Sequence, residues 1–181
     1  MPVATGGPPG RGEQRRVLIV KPDERWMVRF LDSWIGVYWH WVEAVRRRKP
    51  CSGSGCQYCN AGDPDWRAYA PAIAYKFLRR GTMDGQPVGD FAQQGAECAL
   101  ELRRETLNDV DGPLAGCEFA GLKVSIIGLR GSPPPPPRFE VLEHDGLILP
   151  KPFSVKPILC RFWGEPRAFE EAQGLKIRRE A

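Results

Sequence analysis

Short alternations of apolar and polar residues recur along the chain from Arg16 onward and predict a structure made mostly of β-strands. A period of two residues gives each strand one apolar and one polar face. In chain order, the segments with this character are RVLIVK, RWMVRFL, VYWHWV, RAYAPAIAYKFLRR, ECALELRRE, GLKVSIIGL and RFEVLE. Short strands separated by turn residues are typical of small antiparallel barrels, and we expect an OB-like barrel.

The alternation also predicts which residues share a face within a strand. Cys98, Leu100 and Leu102 align on one face of ECALELRRE. In VYWHWV one face carries Val37, Trp39 and Trp41, and the other carries Tyr38, His40 and Val42. The pattern does not decide which of these two faces points outward.

Proline and glycine divide the chain into regions. Pro71 is expected to interrupt or edge the RAYAPAIAYKFLRR strand, and GTMDGQPVGDFAQQG is expected to be a loop. The tract RGSPPPPPR predicts a rigid turn between the last two strands. We divide the chain into a disordered lead-in (1–14), a barrel (15–143) with a zinc insertion at about 40–62, and a Pro-rich C-terminal extension (144–181) that becomes helical near Arg167.

Composition narrows the class of protein. The 18 Pro and 20 Gly among 181 residues argue against a long helical bundle, because both residues interrupt helices. The chain starts without an apolar signal-like stretch, and no window reaches the roughly 18 apolar residues of a membrane span. We therefore predict a cytoplasmic protein with no membrane partner. In a reducing compartment, clustered cysteines favour metal binding over disulfides.

The segment from His40 to Cys59 carries the clearest candidate site. Cys56 and Cys59 have the two-residue spacing that lets both thiolates reach one metal ion, and the glycines after Cys51 allow a sharp turn toward the same ion. The sequence predicts a structural Zn²⁺ held by His40, Cys51, Cys56 and Cys59. The alternative fourth ligands are Asp63, Asp65 and Cys98, in which case His40 is a strand residue that hydrogen-bonds across the sheet.

Catalytic interpretations of this cluster fit the sequence poorly. A zinc deaminase needs a His-x-Glu or Cys-x-Glu step followed, one helix later, by Pro-Cys-x-x-Cys, whereas Glu43 lies three residues after His40. Four filled coordination positions leave no room for a reacting water. The sequence also lacks a Gly-rich phosphate-binding loop. We therefore predict that the protein is not an enzyme.

Aromatic and basic residues are interleaved from about residue 25 to residue 80. Single-strand binders use this mixture, because bases stack on aromatic rings and phosphates need cations. The candidate nucleic-acid contacts are Arg29, Trp39, Trp41, Arg46, Arg47, Arg48, Lys49, Tyr58, Trp66, Tyr69, Arg79 and Arg80. The alternative is that many of these aromatics form the barrel core. A net charge of +4 permits a polyanionic partner without requiring one.

The order of these motifs resembles a known family. The aromatic-flanked His40, the basic linker, PCSGSGCQYC, and the strands that follow up to residue 143 are together similar to zinc-containing phage and bacterial single-stranded-DNA-binding proteins. The resemblance implies an OB-fold with a zinc subdomain held by one His and three Cys. We therefore expect a non-enzymatic protein that binds single-stranded nucleic acid, DNA rather than RNA. The alternative is a protein-interaction subunit of a larger nucleic-acid-processing complex.

Overall fold

The computed structural model describes residues 16–53, 55–107, 112–133, 135–143 and 145–163. The predicted lead-in and the helix predicted near Arg167 lie outside these residues. The described strands are β1 (Arg16–Leu18), β2 (Arg25–Phe30), β3 (Ile35–Val42), β4 (Arg47–Pro50), β5 (Asp65–Met83), β6 (Gln86–Phe91), β7 (Ala96–Arg103), β8 (Lys123–Ile127) and β9 (Arg138–Leu142). The helices are a single turn, α1 (Arg104–Leu107), and α2 (Lys156–Trp163). The mostly β prediction is therefore confirmed.

The strands form one mixed sheet with the order β1-β7-β5-β2-β8-β9, to which β3, β4 and β6 add hairpins. β1 runs parallel to β7, and the other pairs are antiparallel. The sheet is mixed and not closed, because β1 and β9 do not pair within the described part of the chain, so the OB-like antiparallel barrel stays a prediction. The two ends of the sheet nevertheless approach each other. Ile19, just beyond β1, and Phe139 in β9 line the same cavity of about 60 Å³.

β5 is a continuous strand of 19 residues that passes through Pro71 without a break. Along one edge, β5 pairs with β3 up to Tyr69 and with β2 from Ala72 onward. Pro71 lies at this change of partner, and its carbonyl accepts a hydrogen bond from the Leu31 N–H at 2.8 Å. In an antiparallel strand the N–H and C=O of one residue point to the same side. The missing N–H of Pro71 would therefore point to the gap between β3 and β2, where neither strand offers a carbonyl to accept it.

The segment expected to be a loop after residue 80 is instead a β-hairpin. β5 and β6 are joined by Asp84 and Gly85, whose φ angles are 50° and 76°. Two consecutive positive φ angles match the tight turn that fits the twist of hairpin strands, and Asp-Gly is a preferred sequence for that turn. The Asp-Gly dipeptide in the sequence therefore indicates the hairpin, and the loop prediction was wrong.

Each face of the sheet carries its own hydrophobic cluster. The first face is packed with Val28, Phe30, Leu100 and Leu102, and with a row of alanines from β5. The confirmed alignment of Cys98, Leu100 and Leu102 places all three in this core. The second face carries a smaller cluster that α2 covers, and its members are Val37, Trp39, Tyr69, Ala99, Val155, Ile158 and Leu159. The described part of the C-terminal extension, residues 145–163, therefore packs on the sheet.

No helix among the described residues is long and apolar enough to cross a membrane.

Candidate metal centre

The hairpin of β3 and β4 brings His40 and Cys51 to the same side of the sheet. His40 pairs with Lys49, and the Cys51 N–H donates to the Tyr38 carbonyl at 2.9 Å, which continues the ladder past β4. Lys49 and Cys51 are two residues apart and therefore share a face. Because Lys49 lies opposite His40, that face is also the face of His40. The register of the β3–β4 hairpin thus brings two of the four candidate ligands, His40 and Cys51, to one face.

A series of turns brings the other two cysteines to the same point. Gly53 and Gly55 have φ angles of 82° and 77°, a backbone region that residues with a Cβ rarely adopt. The Cys56 N–H then donates to the Gly53 carbonyl at 3.2 Å, and the Cys59 N–H donates to the Cys56 carbonyl at 3.1 Å. The last bond folds the Cys-x-x-Cys step so that both thiols face the hairpin.

The four candidate ligand atoms form one compact group. One nitrogen of His40 and the sulfurs of Cys51, Cys56 and Cys59 all lie within 4.8 Å of one another. The Cys51 and Cys59 sulfurs are 3.7 Å apart, and the Cys59 sulfur is 3.5 Å from His40 Nε2. All six cysteines are free thiols. The spacing between these sulfurs is far longer than the roughly 2.05 Å of a disulfide and suits ligands around a shared ion.

Among the alternative fourth ligands, the structure favours none over His40. Cys98 lies in the core of the first face, and burial raises the pKa of its thiol to about 12. Asp65 forms an ion pair with Arg67 at 2.6 Å. Within the described part of the chain, neither these two residues nor Asp63 belongs to the group of ligand atoms around Cys51.

The local environment changes the protonation of the candidate ligands. Burial lowers the pKa of His40, which favours the neutral imidazole that metals bind. Burial alone would raise the pKa of Cys56, but hydrogen bonds with the backbone of Ser52 and Tyr58 outweigh burial and lower that pKa to about 7. Burial raises the pKa of Cys51 to about 11. The cluster therefore has one thiol that ionises readily without a metal and another that needs a cation to ionise.

Beside the metal centre, the tip of the β3–β4 hairpin presents an aromatic ring and two cations. Trp41 is 61% exposed, and its indole N–H donates to Glu43 at 2.7 Å, which holds the ring in one orientation. Arg46 and Arg47 are exposed at the turn. We call Trp41, Arg46 and Arg47 the hairpin-tip surface. All three are predicted nucleic-acid contacts that are exposed at this tip, where the register places Arg47 on the face of His40 and Trp41 on the opposite face.

Four predicted nucleic-acid contacts are buried, which corrects their assignment. Trp39, Trp66 and Tyr69 are at most 5% exposed, and no ring face remains for a base to stack on. Arg29 is 5% exposed, and its guanidinium donates to both carboxylate oxygens of Asp145. This hydrogen bonding raises the pKa of Arg29 and holds the pKa of Asp145 far below its usual range. These residues hold the fold together.

The remaining predicted contacts are half-buried or lie elsewhere. Lys49 and Tyr58 are half-buried beside the metal centre, and the Tyr58 ring is 6.0 Å from the His40 ring. Arg79 and Arg80 are exposed on the β5–β6 hairpin. β3 pairs with β5 near Asp65, whereas β6 pairs with the opposite end of β5, so these arginines are separated from the hairpin-tip surface.

Arg48 belongs to a partly buried ionic network that the sequence interpretation missed. Its guanidinium donates to Glu101 at 2.8 Å, and the Tyr69 hydroxyl donates to the other Glu101 oxygen at 2.8 Å. Arg67 Nε lies 3.5 Å from Glu101. Burial alone would lower the pKa of Arg48, but the hydrogen bond to Glu101 and the charges of Glu101, Tyr69 and Asp65 together outweigh burial and raise that pKa. Glu101 is the one carboxylate inside the apolar run ALEL, and a charged residue in such a run indicates an ion pair.

Replacing Glu101 with Gln is expected to lower the free energy of unfolding by about 1–3 kcal/mol, because the amide keeps the size but leaves Arg48 without its counter-charge, whereas Arg67 keeps Asp65. Urea denaturation measures the change. Glu105→Gln is the matched control, because Glu105 is exposed and should change stability by less than about 0.5 kcal/mol. Equal stability of the two variants would show that the network contributes nothing.

No protein-family model, curated protein or solved structure matches the chain significantly, so the resemblance to phage single-stranded-DNA-binding proteins stays a prediction from its motifs.

Proposed function

We propose that this protein is a zinc-stabilised, non-enzymatic, cytoplasmic protein that binds single-stranded nucleic acid, DNA rather than RNA. The observation that carries the proposal is the hairpin-tip surface, in which an exposed indole and two exposed arginines lie on the same β3–β4 hairpin that carries His40. Stacking and phosphate contacts together are the means by which sequence-tolerant single-strand binders work.

The identity of the ion as Zn²⁺ is supported by ligand chemistry and by distances. Three thiols and one imidazole are a common structural zinc set, with zinc–sulfur and zinc–nitrogen bonds of about 2.3 Å and 2.0–2.1 Å. A regular tetrahedron with these bonds has sulfur–sulfur and sulfur–nitrogen edges of about 3.8 Å and 3.6 Å. The Cys51–Cys59 distance of 3.7 Å and the Cys59–His40 distance of 3.5 Å agree with both edges.

A non-enzymatic role is supported by the same ligand set. His40, Cys51, Cys56 and Cys59 supply four ligands, the full number for tetrahedral zinc, so a substrate or water would find no open position. The ion would instead fix the residues after β4 against β3. Structural zinc of this kind adds its binding free energy to folding.

An OB-like barrel is our proposal for the topology of the sheet. OB-folds are partly open Greek-key barrels of few strands. A lone parallel pair, β1 with β7, supports this assignment, as does the cavity that both ends of the sheet line. In such a barrel the hairpin-tip surface would project from one rim.

The metal is tested by refolding the protein with Co²⁺ in place of Zn²⁺. A tetrahedral site of three thiolates and one imidazole gives intense visible absorption and thiolate-to-metal charge-transfer bands, and zinc should displace cobalt stoichiometrically. Replacing Tyr58 with Phe should leave the spectrum unchanged, because the ring contacts His40 without offering a ligand. A weak octahedral spectrum would contradict the assignment.

The function is tested by fluorescence anisotropy with protein of measured metal content, using single-stranded and duplex oligonucleotides over a salt series. We expect single strands to bind more tightly, with a log–log salt slope of about −0.7 for each phosphate contacted. A DNA and an RNA strand of equal sequence compare the two backbones. Negligible binding by folded, metal-loaded protein would contradict the proposal and favour the protein-interaction subunit.

A further inference from the structure

The hairpin formed by β5 and β6 projects from the rest of the sheet. We call residues 77–91 the β-arm. Every residue from 78 to 88 is exposed, so both faces of the outer arm are open in this chain. A two-stranded ribbon on its own is marginally stable in water, because it has no second layer on which to bury a face. At its base, Phe77 and Phe91 pack edge to face at 5.4 Å.

One face of the β-arm carries an apolar stripe. Leu78 pairs with Asp90, and Val88 lies two residues from Asp90 on the same face. Val88 pairs with Gly81, which places Met83 on that face as well. Leu78, Met83 and Val88 are 51%, 68% and 44% exposed. Three large apolar side chains aligned on one exposed face differ from the scattered apolar residues of an ordinary surface.

A single ion pair flanks this stripe. Arg80 Nη2 lies 3.0 Å from Asp90 Oδ2, and both side chains are largely exposed. Lys76, closer to the sheet, lies over the Trp26 ring. The cation and the anion at the border of the stripe, Arg80 and Asp90, are therefore already paired with each other. A nucleic acid would require an excess of positive charge, and this face does not provide one.

We propose that the apolar stripe binds the same stripe of a second copy of this chain. A two-fold axis brings identical surfaces together, so the contact requires a self-complementary face. The stripe meets this requirement, because Leu78, Met83 and Val88 face their equivalents while Arg80 of each chain faces Asp90 of the other. The two β-arms thereby supply for each other the layer that each lacks. This proposal does not depend on nucleic-acid binding.

Sedimentation equilibrium of the full chain without nucleic acid tests the interface, at concentrations from about 1 to 100 µM to bracket a micromolar dissociation constant. We expect a monomer–dimer equilibrium that Leu78→Asp weakens at least about 30-fold, because the substitution enters a two-fold interface twice. Ile148→Asp is the matched control, since Ile148 is 98% exposed outside the β-arm, and it should leave dimerisation unchanged. A wild-type monomer throughout would overturn the proposal, and so would equal effects of the two variants.

A charge swap tests the pairing across the axis. Arg80→Asp and Asp90→Arg each place like charges opposite one another in a homodimer, and each variant should be a monomer where the wild type is a dimer. Mixing the two variants should restore the dimer, because each chain then faces the opposite charge. Failure to form this heterodimer would overturn the two-fold arrangement. Loss of nucleic-acid binding by both variants, from a wild type that stays monomeric, would assign the β-arm to nucleic acid instead.

Discussion

Cys56→Ser and Cys59→Ser proteins are expected to lose stoichiometric metal and at least about 4 kcal/mol of unfolding free energy. That energy is the stabilisation from a ligand present at about a thousand times its dissociation constant, and structural zinc sites commonly exceed it. Removal of either thiolate leaves three ligands and exposes the ion to water. We expect the β3–β4 hairpin and the turns after it to unfold first, because the proposed ion would join these two segments.

Metal analysis and urea denaturation measure the two losses. Cys117→Ser is the control, because the Cys117 thiol donates to the Pro113 carbonyl at 4.0 Å and lies outside the ligand group. A chelator should destabilise the wild type and the control equally and should leave the Cys56 and Cys59 variants unchanged. Full metal occupancy in either variant would contradict the assignment of that cysteine.

Strand positions were predictable because period-two alternation is local. ECALELRRE and GLKVSIIGL became β7 and β8 with bounds close to the predicted ones, since each has one fully buried face. The β-arm was missed because its outer residues are exposed on both faces, which removes the alternation. The continuity of β5 through Pro71 could not be predicted, because it depends on where two other strands end.

The grouping of the four candidate metal ligands was predictable for two different reasons. Cys51, Cys56 and Cys59 lie close in sequence, and the intervening glycines permit the turns that join them. His40 comes from another strand, and its eleven-residue separation from Cys51 corresponds to a hairpin whose register the structure supplies. The eleven-residue separation of His40 and Cys51 is enough for the β3–β4 hairpin, and this match made it possible to predict His40 as the fourth ligand.

The exposure of the candidate nucleic-acid contacts was less predictable, because alternation shows which residues share a face and not whether that face is covered. Trp39 and Trp41 were placed on one face, and the structure keeps them there with 4% and 61% exposure. The difference comes from α2, whose Phe162 ring lies 5.3 Å from Trp39. A contact between residues this far apart in the chain leaves no local signal.

Simultaneous replacement of Trp41, Arg46 and Arg47 with Ala is expected to weaken single-strand binding at least about 10-fold at moderate salt. Loss of one stacked base costs about 1–3 kcal/mol. Loss of two phosphate contacts should also make the log–log salt slope shallower by about 1.4. Trp41→Ala alone should lower affinity without changing the slope, because the indole carries no charge. The single and triple variants together separate stacking from counterion release.

The control for this surface is Arg79→Ala combined with Arg80→Ala, which removes the same charge from exposed positions at the opposite end of β5. Anisotropy titrations of all variants over one salt series, with circular dichroism and metal content to verify folding, make the comparison. If the strand binds at the hairpin tip, the control should keep nearly the wild-type affinity and slope. Equal losses in the two arginine variants would mean that net charge alone attracts the strand, because position on the surface would then have no effect.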